Sequence, residues 1–172
     1  MTLMKATMFT SPSRQPHWTA LAVLIVATGL TAAIGAYASF DAKDYYQSLT
    51  QPAWAPPASV FGPVWTVLFA MMCGAAWLVV RRLGTQGARP AMLLYGTQLM
   101  LNAGWTWLFF RWHTGAWAFV EILVLLLFVA LTLVSFWRAR ALSGWLLLPY
   151  LAWVGFASAL TLAMWRLNPG VL

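Results

Sequence analysis

The sequence predicts an all-α polytopic membrane protein, a bundle of five transmembrane helices, and three observations carry that reading. Of its 172 residues 62% are hydrophobic and only 8% are charged, against about 25% charged in a typical soluble domain. The apolar residues fall into five runs, each long enough for the roughly 20-residue helix that crosses a bilayer. Ten Lys and Arg stand against three acids, and the basic residues sit in ones and twos between the runs, as in membrane proteins that mark their cytoplasmic loops. No stretch offers the basic groove that follows a phosphate backbone, so nucleic acid is not an expected partner. A single Cys excludes a disulfide scaffold and any multi-cysteine metal site.

Residues 1–17 form a polar leader carrying Lys5, Arg14 and His17, with Pro12 and Pro16 keeping it from a long helix. The first span is expected over 18–40. It is longer than a signal-peptide core and four similar runs follow, so it reads as a retained helix. The connection 41–60 is the longest, with Asp41, Asp44, Tyr45, Tyr46 and the stretch Gln51-Pro52-Ala53-Trp54-Ala55-Pro56-Pro57. Its prolines predict an ordered, stiff loop that is only locally helical. The second span, 61–80, has Pro63 in its first turn, where a missing N–H matters little, and is expected to stop at Arg81-Arg82, before a turn with Gly84 and Gly87. The third and fourth are expected over 90–112 and 115–137, the latter closed by Arg138 and Arg140. The fifth covers 142–167, where Pro149 should kink the helix and leave the Trp145 carbonyl without its usual partner. The transmembrane domain thus spans 18–168.

Charge orients such a bundle. Lys5, Arg14, Arg81, Arg82, Arg89, Arg138 and Arg140 fall on one side and Lys43, Arg111 and Arg166 on the other. This predicts a cytoplasmic N-terminus and an outside C-terminus for insertion into a bacterial inner membrane.

Twelve residues are Trp. Interfacial anchoring accounts for Trp18, Trp112, Trp137, Trp145 and Trp165, yet Trp54, Trp65, Trp105, Trp107, Trp112, Trp117 and Trp165 all fall in the outer half. Large flat rings gathered beneath the long loop either belt the interface or line a cavity for a flat apolar ligand. Among the few polar residues inside the spans, Glu121 is the only acid, and such a carboxylate is costly unless paired or protonated. Gln98 and Asn102 lie one turn apart, suited either to interhelical hydrogen bonds or to a ligand. Gly29 with Ala33, and Gly155 with Ala159, form small-xxx-small faces that suit close packing within the bundle or in a dimer.

No conventional catalytic or nucleotide-binding motif is present. His17 and His113 have no second ligand at metal-binding spacing, so no metal site is expected, and Cys73 reads as a small packing residue.

Several motifs together resemble one family. Leu49-Thr50-Gln51-Pro52-Ala53-Trp54-Ala55-Pro56-Pro57, running into Val60-Phe61-Gly62-Pro63-Val64-Trp65-Thr66, is similar to the signature of the tryptophan-rich sensory protein/translocator protein family, once called peripheral benzodiazepine receptors. Leu99-x-Leu101-Asn102-x-x-Trp105 with Phe109-Phe110 resembles its third-helix motif. Pro149-Tyr150-Leu151-Ala152-Trp153-Val154-x-Phe156-Ala157 and Trp165-Arg166-Leu167-Asn168 resemble its fifth helix. The likeness extends from about Trp18 to Asn168.

The resemblance implies five transmembrane helices, a homodimer, and a pocket beneath the first loop that takes porphyrins such as protoporphyrin IX or haem, and synthetic benzodiazepine-receptor-type ligands. By matching positions, Trp54, Asn102, Trp105, Trp153 and Ala157 are the implied ligand-binding residues. Thr161 stands where the family usually carries Asn, keeping a donor and an acceptor but losing the amide's reach. Cholesterol, a ligand of animal members, is not expected. After Tyr150 no basic residue follows until Arg166, which breaks the short pattern proposed for sterol contact.

Three classes of function follow from the resemblance. The leading expectation is a membrane tetrapyrrole-binding sensor or regulator that requires no resident cofactor, with transport of the ligand as a further capacity. The second is an enzyme of light-dependent porphyrin degradation, in which Trp105 and Trp153 would be the reacting partners. The third is a structural or assembly protein with incidental affinity for apolar ligands.

Overall fold

The computed structural model describes residues 18–172, so the predicted leader with Lys5, Arg14 and His17 lies outside the described residues. Six α-helices occur among them, and no strand: α1 (Trp18–Ala38), α2 (Ala42–Ser48), α3 (Phe61–Gly87), α4 (Arg89–Thr106), α5 (Gly115–Ala139) and α6 (Ala141–Leu167). A short 3₁₀ turn, Ala58–Val60, leads into α3, and a π turn, Trp107–Arg111, continues α4.

By length and composition, four stretches suit a membrane crossing: Trp18–Ala38, Ala58–Gly87, Gly115–Ala139 and Ala141–Leu167. The stretch expected to be the third span is helical but more polar, because α4 carries Gln98, Asn102 and Thr106, all buried against its neighbours. Its α-helical part ends at Thr106 because the next turn is wound with i→i+5 bonds, seen in the bond from the Trp112 N–H to the Trp107 carbonyl at 2.9 Å.

Around the bundle the long helices are neighbours in the order α1, α3, α6, α5, α4 and back to α1. Each buries a helical stripe: Met72, Ala75, Ala76 and Val79 on α3, Ile122, Leu125 and Val129 on α5, Leu147, Tyr150 and Val154 on α6. These spacings of three and four put the side chains on one face. Helix α1 is peripheral, burying only Leu24, Thr28, Thr31 and Ala38. Its tie to the interior is a hydrogen bond of 2.6 Å between the Thr28 hydroxyl and the Tyr95 hydroxyl of α4.

One expected boundary is corrected. Helix α3 does not stop at Arg81-Arg82 but reaches Gly87, interrupted at Gly84, whose φ of 71° is accessible chiefly to glycine. The arginines are themselves apolar-stemmed helix formers, so they cap the apolar stretch without ending the helix. Pro149 lies inside α6, which runs as one helix from Ala141 to Leu167 between α3 and α5.

The loop 41–60 is held by hydrogen bonds of its own. The Tyr46 hydroxyl donates to the Pro56 carbonyl at 3.0 Å, and Gln51 Nε2 donates to the Tyr46 carbonyl at 2.7 Å. At its centre the loop is tied to the far end of the chain. The Thr50 N–H donates to Asn168 Oδ1 at 2.8 Å, and Asn168 Nδ2 donates to the carbonyls of Thr50 at 3.0 Å and Met164 at 2.8 Å.

Candidate ligand-binding cavity

Beneath α2 lies a cavity of about 550 Å³ between α1, α3 and α4, within the range of small-molecule sites. On the α1 side it is bounded by Ala32, Gly35, Ala36 and Ser39. Their spacing of i, i+3, i+4 and i+7 puts four small side chains on one face, and the space exists because nothing large projects from it. The opposite wall is aromatic: Phe61, Trp65 and Phe69 from α3, Trp105 and Phe110 from the end of α4. The π turn contributes here. Trp105 and Phe110 are five residues apart and meet edge to face at 5.8 Å, a pairing that ordinary α-helical winding would splay.

Polar groups are sparse and placed at two levels. At the top, α2 provides Lys43, the only charged residue lining the cavity among the described residues, and Tyr46. Deeper, α4 provides Asn102 and Thr106, and α3 provides Thr66. The Thr66 and Thr106 hydroxyls donate back to carbonyls one turn earlier, at 2.9 and 3.1 Å. Asn102 is held by a relay across the bundle: its Nδ2 donates to the Tyr150 hydroxyl at 3.2 Å, which donates to Gln98 Oε1 at 2.8 Å. That leaves Asn102 Oδ1 as an acceptor at the cavity wall.

Of the residues implied by resemblance, Asn102 and Trp105 line this cavity together. Trp153, Ala157 and Thr161 lie on α6 and are not among its lining residues. Trp153 stands one ring behind the wall, edge to face with Phe61 at 5.9 Å. Ala157 and Thr161 are buried in helix packing. Trp54 is half-exposed on the loop and rests its ring edge to face on Phe156 of α6 at 5.8 Å.

Lys43, Tyr46, Trp65, Phe110 and the small face of α1 are lining residues that sequence reasoning did not select. Lys43 was legible as the only cation of its loop, and Trp65 as part of the motif that opens α3. Nothing in the sequence marks α1 as the partner of both.

Next to the cavity, Tyr45 stacks on His113 with ring centroids 4.0 Å apart, joining α2 to the turn before α5. His113 has a φ of 54°, a left-handed conformation that His tolerates better than most residues. The Tyr45 hydroxyl is buried without a partner, and burial pushes its phenol up to about 12. Burial shifts Tyr46 upward as well. Among the described residues no three His, Cys, Asp or Glu side chains are grouped as a metal site, and His113 lies outside the cavity lining. Glu121 also lies apart from it. Both its carboxylate oxygens are buried without a hydrogen-bond partner, close to Gly104 of α4, where an added Cβ would sit 3.8 Å from Oε1.

Comparison with known proteins places this architecture. The profile of the TspO/MBR family matches residues 15–166. The chain is 40% identical over 154 residues to the tryptophan-rich protein TspO of Chlorobaculum tepidum, covering 85% of this chain and 96% of that one. It is 34% identical over 158 residues to the human translocator protein, covering 90% and 94%. With the tryptophan-rich sensory protein of Cereibacter sphaeroides it shares 34% identity over 151 residues, covering 88% and 92%. A match over almost the whole length of both chains, on a bundle with membrane-crossing helices, shows that this protein belongs to the TspO/MBR family.

Proposed function

We propose that the protein is a membrane receptor for a tetrapyrrole, a porphyrin such as protoporphyrin IX or haem, bound in the cavity beneath α2 and read out as a sensor or regulator. The observation that carries this reading is the cavity's make-up: flat rings on one side, small residues on the other, and Lys43 at the mouth. Aromatic walls suit a flat macrocycle, Asn102 Oδ1 can accept from a ring N–H, and Lys43 suits a propionate carboxylate. The same features suit flat synthetic ligands of the benzodiazepine-receptor type. In this reading α4 with its π turn crosses the membrane as the third of five spans, its polar residues turned to the relay and the cavity rather than to lipid. The arginine-rich end faces the cytoplasm. A homodimer forms through α1, whose Gly29 has no atom of the described residues within 4 Å of an added Cβ and so serves no close contact among them.

Titrating nanodisc-held protein with protoporphyrin IX, followed by tryptophan quenching, tests the site. Ala36→Phe fills the cavity from its small-residue side, and is expected to weaken saturable binding by about tenfold or more, the loss of roughly 1.4 kcal/mol, with helix content unchanged. Lys43→Gln is expected to lower affinity for the free dicarboxylic acid several-fold and leave its dimethyl ester unaffected. Non-saturable quenching, equal in wild type and Ala36→Phe, overturns the assignment and means partitioning into lipid. Photo-oxidative degradation would use Trp105 and Trp153 jointly, and only Trp105 lines the cavity, so no observation favours it over sensing.

A further inference from the structure

A second groove, of about 540 Å³, opens at the opposite end of the bundle, between the α3–α4 corner and the last turns of α5. Its walls are apolar, with Leu83, Leu94, Leu131 and Val134 along the sides and Ala91 beneath. Leu83, Leu131 and Val134 are each more than 40% exposed, which in water would be unfavourable. Among the described residues Arg138 is the only charged one lining the groove.

The charge around it is unbalanced. Arg81, Arg82, Arg89, Arg138 and Arg140 gather at this end, and the sequence holds only three acids, Asp41, Asp44 and Glu121. Asp41 and Asp44 flank the start of α2, at the other end of the bundle. Glu121 lies seventeen residues before Arg138 on α5, about 26 Å away along the helix. No acid of this chain can therefore neutralise Arg138. Helix α4 also begins at the groove, with Pro90 in its first turn and no side-chain cap, so the positive end of its dipole adds to the field.

We propose that this groove is a binding site for an anionic phospholipid, its phosphate held by Arg138 and one acyl chain laid between α4 and α5. An arginine fork matches a phosphate geometrically, and the exposed leucine and valine walls supply what an acyl chain covers. A zwitterionic lipid would fill the same walls but leave the charge of this end uncompensated. The site is separate from the cavity beneath α2 and does not depend on what binds there.

Native mass spectrometry of the detergent-purified protein tests this, using phosphatidylglycerol and phosphatidylcholine with identical acyl chains. The wild type is expected to retain one phosphatidylglycerol preferentially. Arg138→Gln is expected to weaken that retention roughly ten- to hundredfold, the range for a hydrogen bond to a charged group. Arg82→Gln removes a charge from the same end without touching the groove lining, and should weaken retention far less than Arg138→Gln. Val134→Trp fills the groove and should abolish retention of both lipids. Excess glycerol phosphate, lacking the acyl chains, should not compete. Equal retention of the two lipids, an equal loss in Arg82→Gln and Arg138→Gln, or displacement by glycerol phosphate each overturns the proposal. So does a Val134→Trp protein that turns from dimer to monomer, since a second copy would then cover the groove. Should Val134→Trp fail to fold, the comparison of the two arginine variants still decides.

Discussion

Replacing Asn168 by Ala removes the clasp between the end of α6 and the loop over the cavity. The side chain is buried, at 8% exposure, and makes three hydrogen bonds, two of them to the backbone of Thr50 across 118 residues of sequence. Each such bond contributes about 1 kcal/mol net, so the two to Thr50 hold the loop closed by ~2 kcal/mol, or roughly 30-fold in the opening equilibrium. The third, to the Met164 carbonyl, stabilises the end of α6 and leaves the loop untouched. Hydrogen–deuterium exchange on nanodisc-held protein reads the first effect directly. The amide of Thr50 is expected to exchange about 30-fold faster in Asn168→Ala, while amides in the middle of α6 keep their protection. Asn168→Asp keeps an acceptor for the Thr50 N–H and loses the amide donor, so its exchange should fall between the two. Because α2 roofs the cavity, ligand affinity should drop in proportion to the fraction of closed loop. If the Thr50 amide exchanges at the wild-type rate in Asn168→Ala, the clasp does not hold the loop, and the Tyr46 and Trp54 contacts must do so instead.

Tyr150→Phe deletes the centre of the relay and strands Gln98 Oε1 and Asn102 Nδ2 in a buried, apolar setting. Interhelical hydrogen bonds in membranes average about 0.6 kcal/mol each, and stranded polar groups add to the loss. A destabilisation of ~1–3 kcal/mol is expected in denaturant unfolding from mixed micelles, and a loss under about 0.5 kcal/mol would show that the relay is replaced by other partners. Gly29→Leu adds bulk to an exposed face of α1, at a position where an added Cβ meets none of the described residues within 4 Å. It should leave the melting temperature of the monomer unchanged and convert a dimer to monomer in size-exclusion chromatography with light scattering. A dimer that persists places the contact elsewhere.

Much of the fold was legible because hydrophobic runs and their punctuation are local properties. The starts of α3 at Phe61 and α5 at Gly115 coincide with the predicted boundaries. Apolar length demands a helix in lipid, while Pro63, Gly115 and the arginines mark where each can begin or end. The π turn at Trp107–Arg111 was not legible, since its residues have no composition that distinguishes them from another α turn.

The cavity divides in the same way. The pairing of Asn102 with Trp105 on one face follows from their separation along a single helix, and sequence alone determines it. That the wall opposite them is the small face of α1, and the roof is Lys43 and Tyr46, depends on which helices become neighbours. Neighbour order is decided by shape. Gly144 packs so tightly under the Trp137 ring that no Cβ would fit, locking α5 to α6, and Asn168 then fixes the loop above them. Sequence by itself thus determined a membrane-spanning helical class, the family likeness and the shared face of Asn102 and Trp105, two of the six implied residues. Tertiary structure decided which aromatic rings face empty space and which, like Trp153, stand one layer behind it. A ring's role depends on what lies across from it, and that partner is dozens of residues away.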